Sequence, residues 1–331
     1  MSDIDESLEQ LLGKATPRPV PDPAVTAAAR ESVRAEWQTV SGRYRTRKRA
    51  IRFAVAATVV LGFFALFNTF RSNEVEAVQV ASMQKSFGSI YVLGEQSQMT
   101  LASDLRAVHA GQTIVTGDDA GIALLWGRGG AVRLDRKTEL EFRDDSSVFL
   151  RRGQIYFDSM PSDLTADVTG GGRDSFEVET PLGAVSHVGT QFMTAVTSST
   201  LTVSVREGTV EVSRDDERFV AERGKQVSFT AGAAVLVLDI PEYGAAWDWI
   251  VATSPAISLD GKSADDFLQW AGRELGREIV YASDAVEQAS KTARLHGEIN
   301  RPPAEALGMR MATTGIAWRI EGGTIYVGEK E

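Results

Sequence analysis

The sequence has 331 residues, no cysteine, and only three histidines, which lie far apart along the chain: His109, His187 and His296. Without cysteine the protein folds without disulfides, and thiolate metal sites, thiol nucleophiles and thiol redox relays are excluded. Isolated histidines are more typical of surface or edge-strand positions than of metal ligands. We therefore predict no metal site and no other cofactor.

Catalytic motifs are also scarce, with no HExxH helix motif and no GxSxG nucleophile elbow. Residues 261–263 (GKS) resemble the end of a phosphate-binding loop, but Ala256 stands where its first glycine is needed, so we interpret them as a turn followed by a helix cap. Residues 127–130 (GRGG) predict a hairpin turn. The pairs Asp144-Asp145 and Asp215-Asp216 lie at expected turns, which favours solvated loops. These features argue against an enzyme that acts on a separate substrate.

Positive charge is in deficit, because the formal net charge is −10 at pH 7. This balance argues against nucleic acid as a main partner. The apolar content of 43% and the charged content of 24% are ordinary for globular protein, and the length allows two or three domains.

One long apolar run interrupts this composition at residues 51–70, and no charged residue occurs from Phe53 to Phe70. About 18–20 residues in a helix cross the hydrocarbon core of a bilayer, and a helix satisfies its own backbone hydrogen bonds there. A buried core helix would show a polar face, and a signal peptide would stand at the N-terminus. The run therefore predicts a transmembrane helix over residues 50–70.

A basic cluster precedes this run and acidic residues follow it, which is the charge pattern of a cytoplasmic N-terminus. We predict a single-pass inner-membrane protein with residues 1–49 in the cytoplasm and the rest in the periplasm. The cluster can also contact anionic inner-membrane lipid. Its members are Arg43, Arg45, Arg47, Lys48, Arg49 and Arg52.

Residues 1–49 predict two short amphipathic helices on either side of a proline-rich linker, the second from Ala24 to about Arg47. Such helices are too small to be stable alone, so their apolar stripes are expected to fold into the groove of a partner. The alternative is an unpartnered tail whose Trp37 touches the membrane surface. The predicted partner-binding residues are Ile4, Leu8, Leu11, Leu12 and Trp37.

Residues 75–240 contain short runs of β-branched and aromatic residues divided by glycine, aspartate, serine and proline. This spacing alone predicts an all-β sandwich, barrel or solenoid, and we expect a solenoid- or sandwich-like domain, so the fold class is mainly β. Several neighbouring runs are predicted as separate strands: 148–150 and 154–157, 184–188 and 191–196, and 201–205 and 209–212.

Residues 256–331 predict a small α+β domain in the order β-α-β-β-α-β-β. Its first helix starts at an N-cap, Ser263, and ends at Gly276, and the segment Thr292–His296 is predicted as a strand. Gly322-Gly323 predicts the turn of a closing hairpin. Residues 243–251, with Trp247 and Trp249, are predicted to be a packed connector.

A series of ordered motifs between residues 112 and 230 resembles the FecR family. Residues 148–157 (VFLRRGQIYF) are similar to its V-x-L-x-x-G-x-x-x-F stretch, and residues 176–185 (FEVETPLGAV) to F-x-V-x-T-P-x-G-x-V. Residues 188–192 (VGTQF) match L-G-T-x-F with one conservative change. Residues 201–212 (LTVSVREGTVEV) resemble the closing V-x-V-x-x-G-x-V-x-V, and residues 124–142 an earlier stretch of the same family. The C-terminal part resembles the secretin/TonB short N-terminal fold.

This resemblance implies an inner-membrane regulator of an extracytoplasmic-function sigma factor, of the anti-sigma factor type. In such systems the signalling domain of an outer-membrane TonB-dependent receptor, often for iron-siderophore uptake, contacts the periplasmic part. The cytoplasmic end then holds or releases the sigma factor. The alternative is a periplasmic binding or scaffold protein that the single helix merely anchors.

The resemblance also implies a self-cleavage site, since some family members cleave their own chain at the Gly-Thr bond of the matching motif. Here that bond joins Gly189 and Thr190, and the Thr190 hydroxyl would attack the Gly189 carbonyl. Strand alternation places His187 on the same face as Gly189, from where it could assist. The alternative is a simple glycine bend between two strands. A self-processing precursor is thus a third hypothesis, which overlaps the first.

Overall fold

The computed structural model describes residues 13, 22–37, 78–94, 99–102, 104–127, 129–159, 176–214 and 217–330. The chain divides into two compact units, Met1–Val75 and Glu76–Glu331. None of the helices within these described ranges is long and apolar enough to cross a membrane. Several predictions lie outside the described residues: the transmembrane helix at 50–70, the basic cluster at 43–52, and the partner-binding residues Ile4, Leu8, Leu11 and Leu12.

In the first unit, helix α1 covers residues 23–37. The Asp22 side chain caps it, because its Oδ1 accepts a hydrogen bond from the backbone N–H of Ala24 at 2.8 Å. Pro23 is the first helical residue, where its missing N–H costs nothing. The predicted second helix is therefore confirmed as far as Trp37. The apolar side chains Val33 and Trp37, one turn apart, are 67% and 65% exposed.

In the described part of Gln79–Asp239 every helix or strand element is a strand, which confirms the mainly β fold class. Fifteen strands form one hydrogen-bonded network, and all of their pairings are antiparallel except that of β9 with β10. In chain order the strands are β1 (Gln79–Phe87), β2 (Ile90–Leu93), β3 (Met99–Leu101), β4 (Ala107–His109), β5 (Thr113–Thr116), β6 (Gly121–Trp126), β7 (Ala131–Leu134), β8 (Glu139–Phe142), β9 (Ser147–Asp158), β10 (Glu177–Thr180), β11 (Gly183–Val196), β12 (Thr200–Arg214), β13 (Glu217–Glu222), β14 (Lys225–Thr230) and β15 (Leu236–Asp239).

Three pairs of strands that the sequence predicts as separate are single long strands, β9, β11 and β12. A glycine with positive φ lies inside each of them: Gly153 (93°), Gly189 (60°) and Gly208 (78°). Glycine adopts this conformation without a steric penalty, so the chain bends and the strand continues beyond the glycine. The predicted breaks were wrong because a glycine in a strand marks a bulge as readily as a turn.

The core of this β region follows the alternation seen in the sequence. Leu201, Val203 and Val205 on β12 have no exposed surface, and neither do Val210 and Val212 further along the strand. Alternate side chains of a strand point to the same face, so each of these two sets is an apolar row. The odd spacing from Val205 to Val210 coincides with the register shift and the positive φ of Gly208 between them.

The C-terminal region carries three helices packed against short strands. They are α3 (Ala264–Leu275), α4 (Asp284–Thr292) and α5 (Pro303–Met311), and the strands are β16 (Ile257–Ser258), β17 (Glu278–Tyr281), β18 (Glu298–Ile299), β19 (Ile316–Glu321) and β20 (Thr324–Glu329). Ser263 is the N-cap of α3 and Gly276 ends the helix, as predicted, with Gly276 in the left-handed region. Ser263 also forms a capping box with Asp266. The hairpin turn at Gly322-Gly323 is confirmed as well.

One prediction in this region was wrong, because the segment Thr292–His296 is not a strand. The helix α4 occupies Asp284–Thr292, and it gives the order β-α-β-α-β-α-β-β. The sequence does contain a start signal for this helix, because Ser283 is its N-cap and accepts a hydrogen bond from the backbone N–H of Val286. The helix has only nine residues, and only Val286 and Ser290 are buried, so its apolar pattern is weak.

The connector between the two regions is packed, as predicted. A 3-10 turn (Ala245–Trp247) leads into the short helix α2 (Asp248–Ala252). Trp247 is 1% exposed and packs with Tyr156, Met193 and Ile250 in a small core of its own. The indole N–H of Trp247 donates to the Pro241 carbonyl at 2.9 Å. This core joins the C-terminal region to β9 and β11.

Candidate functional site

The Gly189-Thr190 bond lies in a β-bulge between β11 and β12. In the register of the two strands Val188 is opposite Thr209 and Gln191 is opposite Glu207, so two residues on β11 face Gly208 alone. Gly189 is exposed and has φ 60°. A Cβ atom on Gly208 would lie 2.5 Å from the Gly189 carbonyl oxygen. Both glycines are therefore required, one for its backbone conformation and the other for the close approach.

Thr190 is held by its backbone, while its hydroxyl is left without a hydrogen bond. The side chain is 1% exposed, and Oγ1 has no partner within the part of the chain that the structure describes. The Thr190 N–H donates to Ser159 Oγ at 2.7 Å, and the Ser159 N–H donates to the Thr190 carbonyl at 3.0 Å. An unpaired buried hydroxyl is costly in an ordinary core and is more often retained where it has a role.

His187 lies inside the β core and not on an exposed face. It is 6% exposed, its ring centroid is 4.6 Å from that of Phe157, and Phe176 and Phe192 are also beside it. Neither ring nitrogen has a hydrogen-bond partner among the described residues. The placement predicted from alternation was wrong: Gly189 is exposed while His187 points inward. His296 is exposed and His109 is on an edge strand, as expected for isolated histidines.

Burial lowers the pKa of His187 to about 4, because the apolar surroundings disfavour the charged ring. The folded-state pKa is thus below that of the unfolded chain, so the unfolded state binds more protons as the pH falls. Stability should decrease between about pH 6.5 and pH 4, by up to about 3 kcal/mol. Urea denaturation across this range tests the prediction. His187→Leu should remove this part of the pH dependence, and the control His296→Leu should retain it.

The C-terminal region contacts the strands on both sides of the bulge through one arginine of α3. Arg273 forms an ion pair with Asp158 on β9, the residue that lies opposite Gln191 of β11. Arg273 also donates a hydrogen bond to Glu207 on β12 at 2.5 Å. Gln191 Nε2 also donates to Asp158 at 2.9 Å. Burial alone would lower the pKa of Arg273, but Asp158 and Glu207 raise it above its usual value. The residues next to Thr190 and Gly208 are therefore tied to α3.

A second ion pair at the same interface is buried from water. Arg133 on β7 and Glu274 on α3 are 3% and 8% exposed and form a bidentate pair, with distances of 2.6 and 2.7 Å. Ser254 Oγ donates to the carboxylate at 2.6 Å, and Arg206 donates to the Glu274 backbone carbonyl at 3.3 Å. Burial opposes the charged form of Glu274, yet the Arg133 guanidinium holds its pKa below the usual value.

Of the predicted site residues, the structure brings Gly189 and Thr190 into one bulge and places His187 in the adjacent core. Trp37 belongs to the other unit and lies exposed on α1. Sequence reasoning missed Ser159, which contacts Thr190 from β9, and Arg273, which contacts both flanking strands. A serine after a strand and an arginine on a helix carry no distinguishing local pattern, so no sequence signal indicated them.

Comparison with known proteins found a family match for one part of the chain. Residues 112–211 match the family model described as FecR protein. No curated protein matches the chain significantly. Two crystal structures of a candidate anti-sigma factor from Parabacteroides distasonis ATCC 8503, at 1.65 and 2.50 Å, are 19% and 20% identical to it. Each alignment covers 66% of this chain and 99% of the other, with a TM-score of 0.34. The protein therefore carries a FecR-family domain over residues 112–211, as its sequence motifs indicated.

Proposed function

We propose that the protein is a single-pass inner-membrane regulator of a cytoplasmic sigma factor, of the anti-sigma factor type. The observation that carries the proposal is the FecR-family domain at residues 112–211. The order of features along the chain supports it: an exposed amphipathic helix, a basic cluster, an apolar run, and then the β region. A regulator with its two ends in different compartments requires this order.

The cytoplasmic end would bind the sigma factor through the apolar stripe of α1 and the leucines before it. Val25, Val33 and Trp37 are 63%, 67% and 65% exposed and recur at the spacing of one helix face. Exposed aromatic and aliphatic side chains at this spacing are typical of helix-in-groove recognition. The α1 helix thus has an apolar face available to a partner.

The periplasmic end would receive the signal, and its sender would be the signalling domain of an outer-membrane TonB-dependent receptor. The sigma factor would then be of the extracytoplasmic-function class, and the genes that it controls would serve iron uptake. The docking of α3 on β7, β9 and β12 supports a relay of this kind, because a force on the C-terminal region would reach the FecR domain through Arg133 and Arg273.

Changing Leu11, Leu12 and Trp37 together to serine should abolish co-purification of the sigma factor with the full chain. Loss of three apolar anchors is expected to weaken binding by well over tenfold, since aromatic and aliphatic anchors carry most of the energy of such an interface. The measurement is affinity purification from detergent-solubilised membranes, read by mass spectrometry. Glu31→Gln, which lies off the apolar stripe, is the matched control. If the triple variant retained the sigma factor, the periplasmic scaffold would become the leading account.

We also propose that the protein cleaves itself between Gly189 and Thr190. Two observations favour this reaction: Gly189 has a positive φ in a bulge, and the adjacent Thr190 hydroxyl is buried without a partner. Attack of Thr190 Oγ on the Gly189 carbonyl carbon converts the amide into an ester, and water then hydrolyses the ester. Locally strained backbone lowers the barrier to such a shift.

Thr190→Ala should leave the membrane-resident chain intact, while Thr190→Ser, which keeps a hydroxyl, should still be cleaved. Immunoblots with tags at both ends of the chain separate the two results. A fragment pattern that is the same in the wild type and in Thr190→Ala would overturn the self-cleavage proposal and would leave sigma-factor binding untouched.

A further inference from the structure

The atom that leaves when the Gly189-Thr190 bond breaks is the backbone nitrogen of Thr190, and the side chain of Ser159 contacts it. Ser159 Oγ lies 2.7 Å from this nitrogen and accepts its N–H. Ser159 directly follows β9, and its own N–H donates to the Thr190 carbonyl at 3.0 Å. Two hydrogen bonds thus join Ser159 to Thr190, one through the Ser159 hydroxyl and one through its backbone N–H, and together they position the hydroxyl at the departing nitrogen.

The other buried polar groups near the bulge have different surroundings. His187 is enclosed by Phe157, Phe176 and Phe192, and the Thr194 hydroxyl lies four residues further along β11 without a hydrogen bond in the described structure. Gln191 is engaged with Asp158. Among the described side chains, that of Ser159 hydrogen-bonds the Thr190 nitrogen.

We propose that Ser159 is a catalytic residue of the self-cleavage reaction, and that its hydroxyl delivers the proton that the Thr190 nitrogen needs in order to leave. This inference rests on the self-cleavage proposed above. In the step, a bond forms between Thr190 Oγ and the Gly189 carbonyl carbon, and the bond between that carbon and the Thr190 nitrogen breaks. The Thr190 hydroxyl gives its proton to solvent, the Ser159 hydroxyl gives its proton to the nitrogen, and the Ser159 oxygen takes one proton back from solvent. The amide thus becomes an ester and a free amine with no net gain or loss of protons.

The hydroxyl suits this role because it can reverse the direction of its hydrogen bond. In the resting chain the planar amide N–H donates to Ser159. Once the carbonyl carbon becomes tetrahedral, the nitrogen regains its lone pair and accepts a proton from the same oxygen. A group held at the leaving atom before the reaction avoids reorganisation during it. The backbone hydrogen bond from Ser159 to the Thr190 carbonyl keeps the distance short throughout.

The test is the rate of cleavage of the full chain, synthesised cell-free with inner-membrane vesicles and followed over time on gels. Ser159→Ala should slow cleavage roughly 100-fold, which is the lower end of the usual range for general acid–base catalysis. Ser159→Thr should restore most of the rate, because it returns a hydroxyl. Thr197→Ala is the matched control, since it also removes a hydroxyl that accepts a backbone N–H, from Thr200 at 3.1 Å, in an exposed turn.

Chemical rescue separates catalysis from a purely structural role. At constant pH the cleavage of Ser159→Ala should speed up as the concentration of a small general acid, acetate buffer, is raised, while wild-type cleavage should not respond. If Ser159→Ala is cleaved at the wild-type rate, or is slow without any response to acetate, the role of Ser159 is overturned and self-cleavage stands. If the wild type yields no fragment, both proposals fail.

Discussion

Replacing Glu274 with alanine should lower the free energy of unfolding by about 3–5 kcal/mol. The substitution leaves the Arg133 guanidinium buried and without its carboxylate. Arg206 donates a hydrogen bond to the Glu274 backbone carbonyl. Lys85 is also close enough to interact with the carboxylate, and both burial and the nearby Arg133 lower the pKa of Lys85. Glu274 is thus the anion that several cations share, and its loss leaves uncompensated positive charge at the interface.

Urea denaturation of residues 76–331, which form one compact unit, measures this loss. The double variant Arg133→Met with Glu274→Leu should recover to within about 1 kcal/mol of the wild type, because apolar pairs often replace buried ion pairs without loss. Glu321→Ala, which removes an exposed partner of Arg319, is the control and should change stability by less than about 1 kcal/mol. A small effect of Glu274→Ala would mean that water reaches this interface.

Replacing Trp247 with alanine should cost about 3–5 kcal/mol, the usual range for deletion of a buried large aromatic side chain. Trp247 is 1% exposed, and its ring lies 4.4 Å from the Arg206 guanidinium in a cation–π contact. The substitution removes the centre of the connector core and leaves Tyr156 and Ile250 beside a cavity. The C-terminal region should therefore detach from the FecR domain before either region unfolds.

Circular dichroism during denaturation measures the stability of this variant, and limited proteolysis in the connector measures the detachment. Trp249→Ala is the matched control, because this tryptophan is only half-buried in the same connector and should cost about half as much or less. Equal effects of the two substitutions would contradict a connector core centred on Trp247.

Local patterns in the sequence were sufficient for much of the fold. Alternation within residues 201–205 and within residues 209–212 predicted the buried side chains of β12, and Ser263 and Gly276 predicted the two ends of α3. The short helix α4 was missed because nine residues with little buried apolar surface carry a weak pattern. The motifs of the FecR family were recognisable because they are sets of strand and turn residues at fixed spacing, and the match to residues 112–211 confirms them.

The candidate site depended more on tertiary structure. The sequence singled out Gly189 and Thr190, but alternation placed His187 on the wrong face, because a bulge shifts the residues after it to the other side of the strand. The partners of the site come from distant segments: Ser159 is 31 residues from Thr190, and Arg273 is 115 residues from Asp158.

The sequence by itself determined that the β region is built from short apolar strand segments, where α3 begins and ends, where the apolar run lies, and that residues 112–211 carry the motifs of a FecR domain. Those properties follow from the backbone and from neighbours within a few residues. Only the tertiary structure decided that Arg133 pairs with Glu274, 141 residues away, and that Ser159 contacts the Thr190 nitrogen. A periodic pattern specifies which face of a helix or strand is buried. The residues that this face contacts depend on how two layers of secondary structure pack together.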